Sequence, residues 1–178
     1  EAQGAQAEEE ASATRKAPLS RTVSVSAPRI GIPMCLDTQR RVRKRGPALY
    51  IATTYAEGIA AAGGVALHIP LQSDAASALD AVDGLLFPGG GDFLPTTPYP
   101  AQVRFDAIPE AQLAFDRRLL QAALARRMPV LGVCYGMQLL ALKLGATLCY
   151  DLATDKPSAG PHQLGDNQTR ELEWTDAQ

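Results

Sequence analysis

The segment PVLGVCYGMQLLALKLGATL, residues 129–148, places a cysteine between two glycines, with an apolar run on each side. The short run 130–133 has the length and composition of a buried strand, and residues 135–144 have those of a helix. The segment therefore predicts a strand, a tight turn at Cys134 and a helix that starts directly after it.

The flanking sequence repeats this alternation of strands and helices. Further strands are expected at residues 29–36, 65–71, 85–87 and 147–152. Helices are expected at residues 50–64, ending at a Gly-Gly pair, at 74–82, where the pattern is weaker, and at 110–127. Short apolar strands that alternate with helices predict an α/β fold, in which a parallel sheet is covered by helices on both faces.

Two glycine-rich segments follow predicted strands of this sheet. One is PGGGD, residues 88–92, and the other is GVCYG, residues 132–136. In open α/β sheets, ligands bind outside the carboxyl ends of the strands. We therefore expect both segments to border one crevice.

Cys134 has the spacing of a nucleophile elbow, with cysteine in the position of the usual serine. Flanking glycines allow the close backbone approach of this turn, and a helix N-terminus favours a thiolate. The backbone N–H of Tyr135 and one from the loop of Gly89, Gly90 and Gly91 are candidate oxyanion donors. The alternative is that Cys134 is a small buried apolar residue. The surrounding pattern favours the nucleophile, whereas Cys35 and Cys149 are expected to be packed in the core.

Composition limits the number of domains, the classes of partner and the cellular compartment that the chain suggests. The chain has 178 residues and a formal net charge of -2, which suits one globular domain and gives no electrostatic case for nucleic acid or an anionic membrane. Three cysteines without a CxxC pair, and no apolar run of membrane-spanning or signal-peptide type, favour a cytoplasmic protein. The cluster RRVRKR at residues 40–45 is expected to be a solvated loop. Residues 1–27 are expected to be a disordered tail before a domain at 28–178.

The chain resembles the class I glutamine amidotransferase superfamily. GVCYGMQ, residues 132–138, matches the Gly-x-Cys-x-Gly-x-Gln elbow of that superfamily. GIP at 31–33, YAEGIAAAGGVALHIPL at 55–71, DGLLFPGGGDFLPTTPY at 83–99 and MPVLGVCYGMQLL at 128–140 are similar to the γ-glutamyl-γ-aminobutyrate hydrolase branch. The resemblance covers about residues 29–152.

This resemblance implies a three-layer, flavodoxin-like, mostly parallel sheet and a reaction that needs no metal or other cofactor. The reaction is hydrolysis of a small-molecule γ-glutamyl amide through a thioester on Cys134. Gly90 and Tyr135 are implied as backbone oxyanion donors, and Gln138, Gly89 and Gly91 as substrate-binding residues. A homo-oligomer is compatible with this assignment.

The chain also departs from the pattern of that branch. Tyr135 stands where the branch usually has arginine, and CYGMQ is closer to the glutaminase domain of GMP synthetase. The family's late His-x-Glu pair has no match, since His68 lies in an early strand and His162 is followed by Gln163-Leu164. We therefore expect a domain truncated at its C-terminus. Three readings remain: a γ-glutamyl hydrolase, a glutaminase subunit that delivers ammonia to a synthase partner, and a non-catalytic relic or binding module.

Overall fold

A four-stranded parallel sheet forms the centre of the molecule. The computed structural model describes residues 26–72 and 74–159. The strands of the sheet are β1 (Arg29–Pro33), β4 (Val65–Ile69), β5 (Gly84–Phe87) and β6 (Val130–Gly132), in the order β4-β1-β5-β6. All three pairings are parallel, so the carboxyl ends of β5 and β6 lie at one edge.

Helices cover both faces of this sheet, which confirms the expected three-layer α/β fold. The helices are α1 (Thr53–Ala61), α2 (Glu110–Ala125), α3 (Tyr135–Lys143) and the short α4 (Leu152–Asp155). On one face, Leu85 and Phe87 pack with residues of α2 and α3. On the other, Ile32 and Leu86 pack against Ile59 of α1. None of the helices within the described residues has the length and apolarity needed to cross a membrane.

The first predicted strand, residues 29–36, is divided in two. Strand β1 ends at Pro33, and β2 (Cys35–Asp37) pairs in antiparallel fashion with β3 (Ala48–Tyr50) instead of joining the main sheet. The buried carboxylate of Asp37 accepts hydrogen bonds from the N–H groups of Gln39 and Val42, at 2.9 and 2.7 Å, and so organises the hairpin loop. For this reason residues 50–52 are not helical, and α1 begins only at Thr53.

The basic cluster at residues 40–45 lies in this hairpin loop and is exposed, as expected. One of its arginines forms an ion pair, in which Arg41 Nη1 lies 2.7 Å from Asp106 Oδ2. Both side chains remain about half exposed, so this pair contributes little to stability. Its main consequence is to hold the hairpin against the segment before α2.

The predicted strand at residues 147–152 is wrong. Residues 146–149 have no regular secondary structure, and α4 starts at Leu152. Two carboxylates bind backbone N–H groups here. Asp151 accepts from the N–H of Thr154 at 2.9 Å, and Asp155 accepts from the N–H of Tyr150 at 2.6 Å. Such local hydrogen bonds offer the backbone an alternative to strand pairing. Likewise, the helix expected at 74–82 is only a 3₁₀ turn, Ser77–Ala81.

Strand β6 leaves apolar surface uncovered among the described residues. Leu131 in this strand is 59% exposed, and Met137 in the following helix is 56% exposed. A shallow groove of about 270 Å³ crosses the same side of the sheet. Its lining is almost entirely apolar and comes from three strands, the loop before β6 and helix α1: Ile30, Ile59, Gly84, Leu85, Leu86, Pro129, Val130 and Leu131.

Candidate active site

Cys134 forms the turn between β6 and α3, with φ 49° and ψ −108°. Non-glycine residues rarely adopt a positive φ, and holding one there costs on the order of 1–3 kcal/mol. Two glycines make the turn possible. A side chain at Gly132 would collide with the backbone of Gly136, and one at Gly136 would collide with the carbonyl of Phe87. The local geometry is therefore that of a strained strand-turn-helix elbow.

The thiol of Cys134 is exposed and lies at the N-cap of α3. The N-terminus of a helix carries a partial positive charge, which stabilises an anion next to it. Cys134 is thus exposed at the carboxyl edge of the sheet, where a substrate can reach it.

The glycine loop of residues 89–91 lies beside this elbow, as the sequence predicted. The N–H of Val133 donates to the carbonyl of Phe87 at 3.0 Å, and the N–H of Gly136 donates to that of Pro88 at 3.2 Å. A Cβ atom built on Gly89 would lie 3.7 Å from Cβ of Cys134. The ends of β5 and β6 are thus tied together, and the loop borders the cysteine.

The three loop glycines have different surroundings. Gly89 donates its N–H to the hydroxyl of Tyr55 at 2.8 Å and accepts from the thiol of Cys35 at 3.6 Å. Gly91 packs against the backbone of residues 106–108, where a side chain would not fit. The N–H groups of Gly90 and Tyr135 donate to no acceptor within the described part of the chain. These two N–H groups are therefore free to bind a ligand, as are those of Gly91 and Cys134, which also donate to no acceptor within the described residues.

A buried polar cluster supports the elbow from below, and the sequence analysis missed it. The ring of Tyr135 is 1% exposed and stacks on Phe93, and its hydroxyl donates to Asp116 Oδ2 at 3.0 Å. Gln112 Nε2 donates to the same oxygen at 3.4 Å. The signal was the spacing of Gln112 and Asp116, which lie four residues apart on the otherwise apolar face of α2.

Asp116 is a carboxyl group in an unfavourable place for a charge. Its side chain is 1% exposed, and Oδ1 has no hydrogen-bond partner among the described residues. Burial raises the pKa of Asp116 to about 7, although the hydrogen bonds from Tyr135 and Gln112 oppose the shift. Burial, together with the carboxylate of Asp116, also raises the pKa of Tyr135. The carboxyl group therefore titrates near neutral pH.

The remaining predicted site residues differ in their distance from Cys134. Gln138 lies on α3, and its backbone N–H donates to the carbonyl of Cys134 at 3.0 Å. His68 is exposed on β4, which is separated from β6 by β1 and β5. Three strand spacings put about 14 Å between these strands, so His68 does not lie beside Cys134. His162 falls outside the described residues. In residues 26–72 and 74–159, no group of three acidic, histidine or cysteine side chains is arranged to hold a metal ion.

The three cysteines differ in accessibility, which leads to a labelling prediction. Cys35 is buried, as expected, and burial raises the pKa of its thiol, but Cys149 is exposed, so the expectation that it is packed is wrong. We expect iodoacetamide to modify Cys134 fastest, because of the helix N-terminus, and Cys35 slowest, by at least about tenfold. Peptide mapping at short reaction times measures this order. Earlier labelling of Cys35 than of Cys134 contradicts the elbow assignment.

Gly90 provides a test that separates function from folding. The three atoms nearest to a Cβ on Gly90 belong to side chains, the Tyr135 ring at 3.2 Å and Ile108 Cδ1 at 3.4 Å, whereas a Cβ on Gly136 would collide with backbone. We expect Gly90→Val to impair ligand binding or acylation at Cys134 more than stability, and Gly136→Val to prevent folding. Thermal unfolding and Cys134 acylation rates check both variants. Equal losses in stability and acylation for Gly90→Val leave that glycine only a structural role.

Comparison with known families agrees with this geometry. The sequence profile of the family described as "Peptidase C26" matches residues 28–174. The chain belongs to the peptidase C26 family. It is 37% identical over 134 residues to a "Putative glutamine amidotransferase" of Mycobacterium tuberculosis, a match that covers 71% of this chain and 42% of that protein. It is 33% identical over 105 residues to a "Putative glutamine amidotransferase-like protein" of Rickettsia prowazekii, covering 57% and 37% of the two chains.

A third relative is "Protein NtpR" of Enterococcus hirae, which is 30% identical over 111 residues that cover 59% of this chain and 45% of that one. The chain of this peptidase C26 member thus spans less than half the length of the curated relatives it matches. The family and its relatives confirm the resemblance to class I glutamine amidotransferase-like proteins. The γ-glutamyl-γ-aminobutyrate hydrolase branch and the truncation stay predictions.

Proposed function

We propose that this protein hydrolyses γ-glutamyl amides, with Cys134 as the nucleophile. The observation that carries this proposal is the elbow itself: an exposed cysteine with φ 49° at the N-cap of α3, beside a glycine loop. A buried structural cysteine would need neither the strained backbone nor the exposure. The peptidase C26 assignment supports the same reaction class.

The geometry supports a two-step reaction. The thiolate of Cys134 attacks the γ-carbonyl carbon, a C–S bond forms, and the carbonyl oxygen becomes an oxyanion. The N–H groups of Gly90 and Tyr135, which have no other acceptor within the described residues, would stabilise that oxyanion. The C–N bond then breaks as the amine takes up a proton, leaving a γ-glutamyl thioester. Water hydrolyses the thioester and restores the thiol.

The leaving amine needs a proton, and the described residues place no histidine beside Cys134 to supply it. The family pattern assigns this role to a His-x-Glu pair late in the chain, and His162 lies outside the described part. Acylation therefore requires only Cys134 and the oxyanion donors, whereas amide turnover needs a general acid in addition. Full turnover requires a polypeptide that carries such a group.

A glutaminase subunit is the second candidate function. The names of two relatives favour it, as does Tyr135 in the position after the nucleophile. Both candidates use the same cysteine and the same oxyanion donors. They differ in the amine that leaves, which is ammonia for a glutaminase and a larger amine for a γ-glutamyl hydrolase.

A panel of γ-glutamyl amides distinguishes these candidates. We expect a polypeptide extended with a His-x-Glu segment to hydrolyse γ-glutamyl-γ-aminobutyrate faster than glutamine without any partner protein. A preference for glutamine that increases on addition of a synthase subunit would instead assign the glutaminase function. If the protein is folded and Cys134 is reactive, but no γ-glutamyl compound acylates it, the protein is instead a non-catalytic binding module.

A further inference from the structure

We propose that Cys35 is a positioning residue that orients the oxyanion donor Gly90 through the carbonyl of Gly89; this inference rests on the proposed function. Cys35 lies in β2, outside the main sheet, and its Sγ is 3.6 Å from the carbonyl oxygen of Gly89. The thiol is the donor of this hydrogen bond. Nothing in the reaction itself uses Cys35, yet its side chain is directed at the loop beside the nucleophile.

The connection to Gly90 follows from peptide geometry. The carbonyl of Gly89 and the N–H of Gly90 belong to one planar peptide unit. The peptide bonds of the described residues are not cis, so the two groups point in opposite directions. A hydrogen bond that fixes the Gly89 carbonyl on the Cys35 side therefore directs the Gly90 N–H away from Cys35.

The loop needs such a restraint because it is made of consecutive glycines. Glycine occupies regions of φ and ψ that other residues avoid, so a peptide unit between two glycines can rotate with little steric penalty. The preceding peptide unit is already held at both ends. The carbonyl of Pro88 accepts from the N–H of Gly136 at 3.2 Å, and the N–H of Gly89 donates to Tyr55. Among the described residues, the unit between Gly89 and Gly90 is held by Cys35 alone.

The surroundings of Cys35 keep its thiol protonated and therefore able to donate. The side chain is 5% exposed. Burial raises the pKa of Cys35, and the nearby carboxylate of Asp116 raises it further, while a contact with Gln112 acts in the opposite sense. A thiolate at this position would repel the Gly89 carbonyl and release the peptide unit, so a raised pKa suits the positioning role.

Two reagents that react with the same thiol by different routes test this inference. The p-nitrophenyl γ-ester of glutamate acylates Cys134 through an oxyanion, whereas iodoacetamide alkylates it at a saturated carbon and forms none. We expect Cys35→Ala to slow acylation of Cys134 by about tenfold or more, which approaches the loss of an oxyanion donor, while alkylation changes less than about twofold. Cys35→Ser, which keeps a donor, should retain most of the acylation rate.

Both rates are read at Cys134 by peptide mapping of the full chain, with near-UV circular dichroism to show that each variant is folded. Cys35→Val, which fills the site without a donor, replaces the alanine variant if that one does not fold. Unchanged acylation in the alanine or valine variant, or an equal fall of acylation and alkylation, overturns the inference. If the unmodified protein acylates no faster at Cys134 than at Cys149, the proposed function fails first, and the positioning role fails with it.

Discussion

Mixed with the p-nitrophenyl γ-ester of glutamate, the 178-residue chain is expected to release nitrophenol in one rapid burst and then nearly stop. Nitrophenolate leaves without being protonated, so the first step needs only the thiol of Cys134 and the oxyanion donors. Hydrolysis of an unactivated amide also needs a general acid. We therefore expect amide turnover on the order of 10⁵ below that of a version extended with a His-x-Glu segment, since losing one member of a catalytic unit has effects of that size.

Three variants make the burst interpretable. Cys134→Ala should abolish it, Cys149→Ala should leave it unchanged, and His162→Ala should leave the slow rate unchanged. Stopped-flow absorbance gives the amplitude, and a discontinuous assay of released amine gives the turnover. Rapid amide hydrolysis by the 178-residue chain that His162→Ala abolishes would make His162 the base and remove the need for another acid.

The buried carboxyl of Asp116 should make the free energy of unfolding fall as pH rises. Its pKa is about 7 in the folded protein and about 3.8 when exposed, so the folded state binds more protons between these values. The contribution is complete below about pH 4 and is lost as pH rises through 7. Between pH 5 and pH 8 this group alone lowers stability by about 2–3 kcal/mol.

Asp116→Asn is the variant that tests this effect, because asparagine keeps an acceptor for the Tyr135 hydroxyl and cannot titrate. We expect its stability to be nearly flat over the same pH range. The matched control is Asp80→Asn, which removes an exposed carboxylate that pairs with Arg126 at 2.6 Å and should keep the slope. Urea unfolding at pH 5, 6, 7 and 8 measures all three proteins. A slope that persists in Asp116→Asn assigns it to other groups.

The sequence predicted the central part of the fold because the parallel strands are short and apolar and are separated from the helices by clear turn residues. Strand β5 is buried along its whole length, and the Gly63-Gly64 pair follows the C-cap of α1, Ala62, so hydropathy and glycine placement were sufficient there. The hairpin of β2 and β3 was missed because it depends on Asp37, a single buried carboxylate that binds two backbone N–H groups. The last predicted strand failed for a similar reason, at Asp151 and Asp155.

The candidate site also has a part that local sequence predicts and a part that it does not. Glycine spacing around Cys134 was enough to predict the elbow, since only glycine tolerates the contacts that Gly132 and Gly136 make. The supporting groups, Tyr55, Cys35 and Asp116, are separated from the elbow in sequence. Each makes one hydrogen bond to the elbow or its glycine loop. No local pattern marks a residue of that kind, and only the three-dimensional arrangement shows that they converge beneath the elbow and its glycine loop.

Mass-spectrometric mapping of the adduct formed with the p-nitrophenyl γ-ester of glutamate tests whether Cys134 is the nucleophile. We expect one γ-glutamyl group per chain, located on Cys134, removed by hydroxylamine as a thioester should be, and absent from Cys134→Ala. An adduct on Cys149 or on lysines, with Cys134 unmodified in the folded protein, would contradict the assignment of Cys134 as the nucleophile.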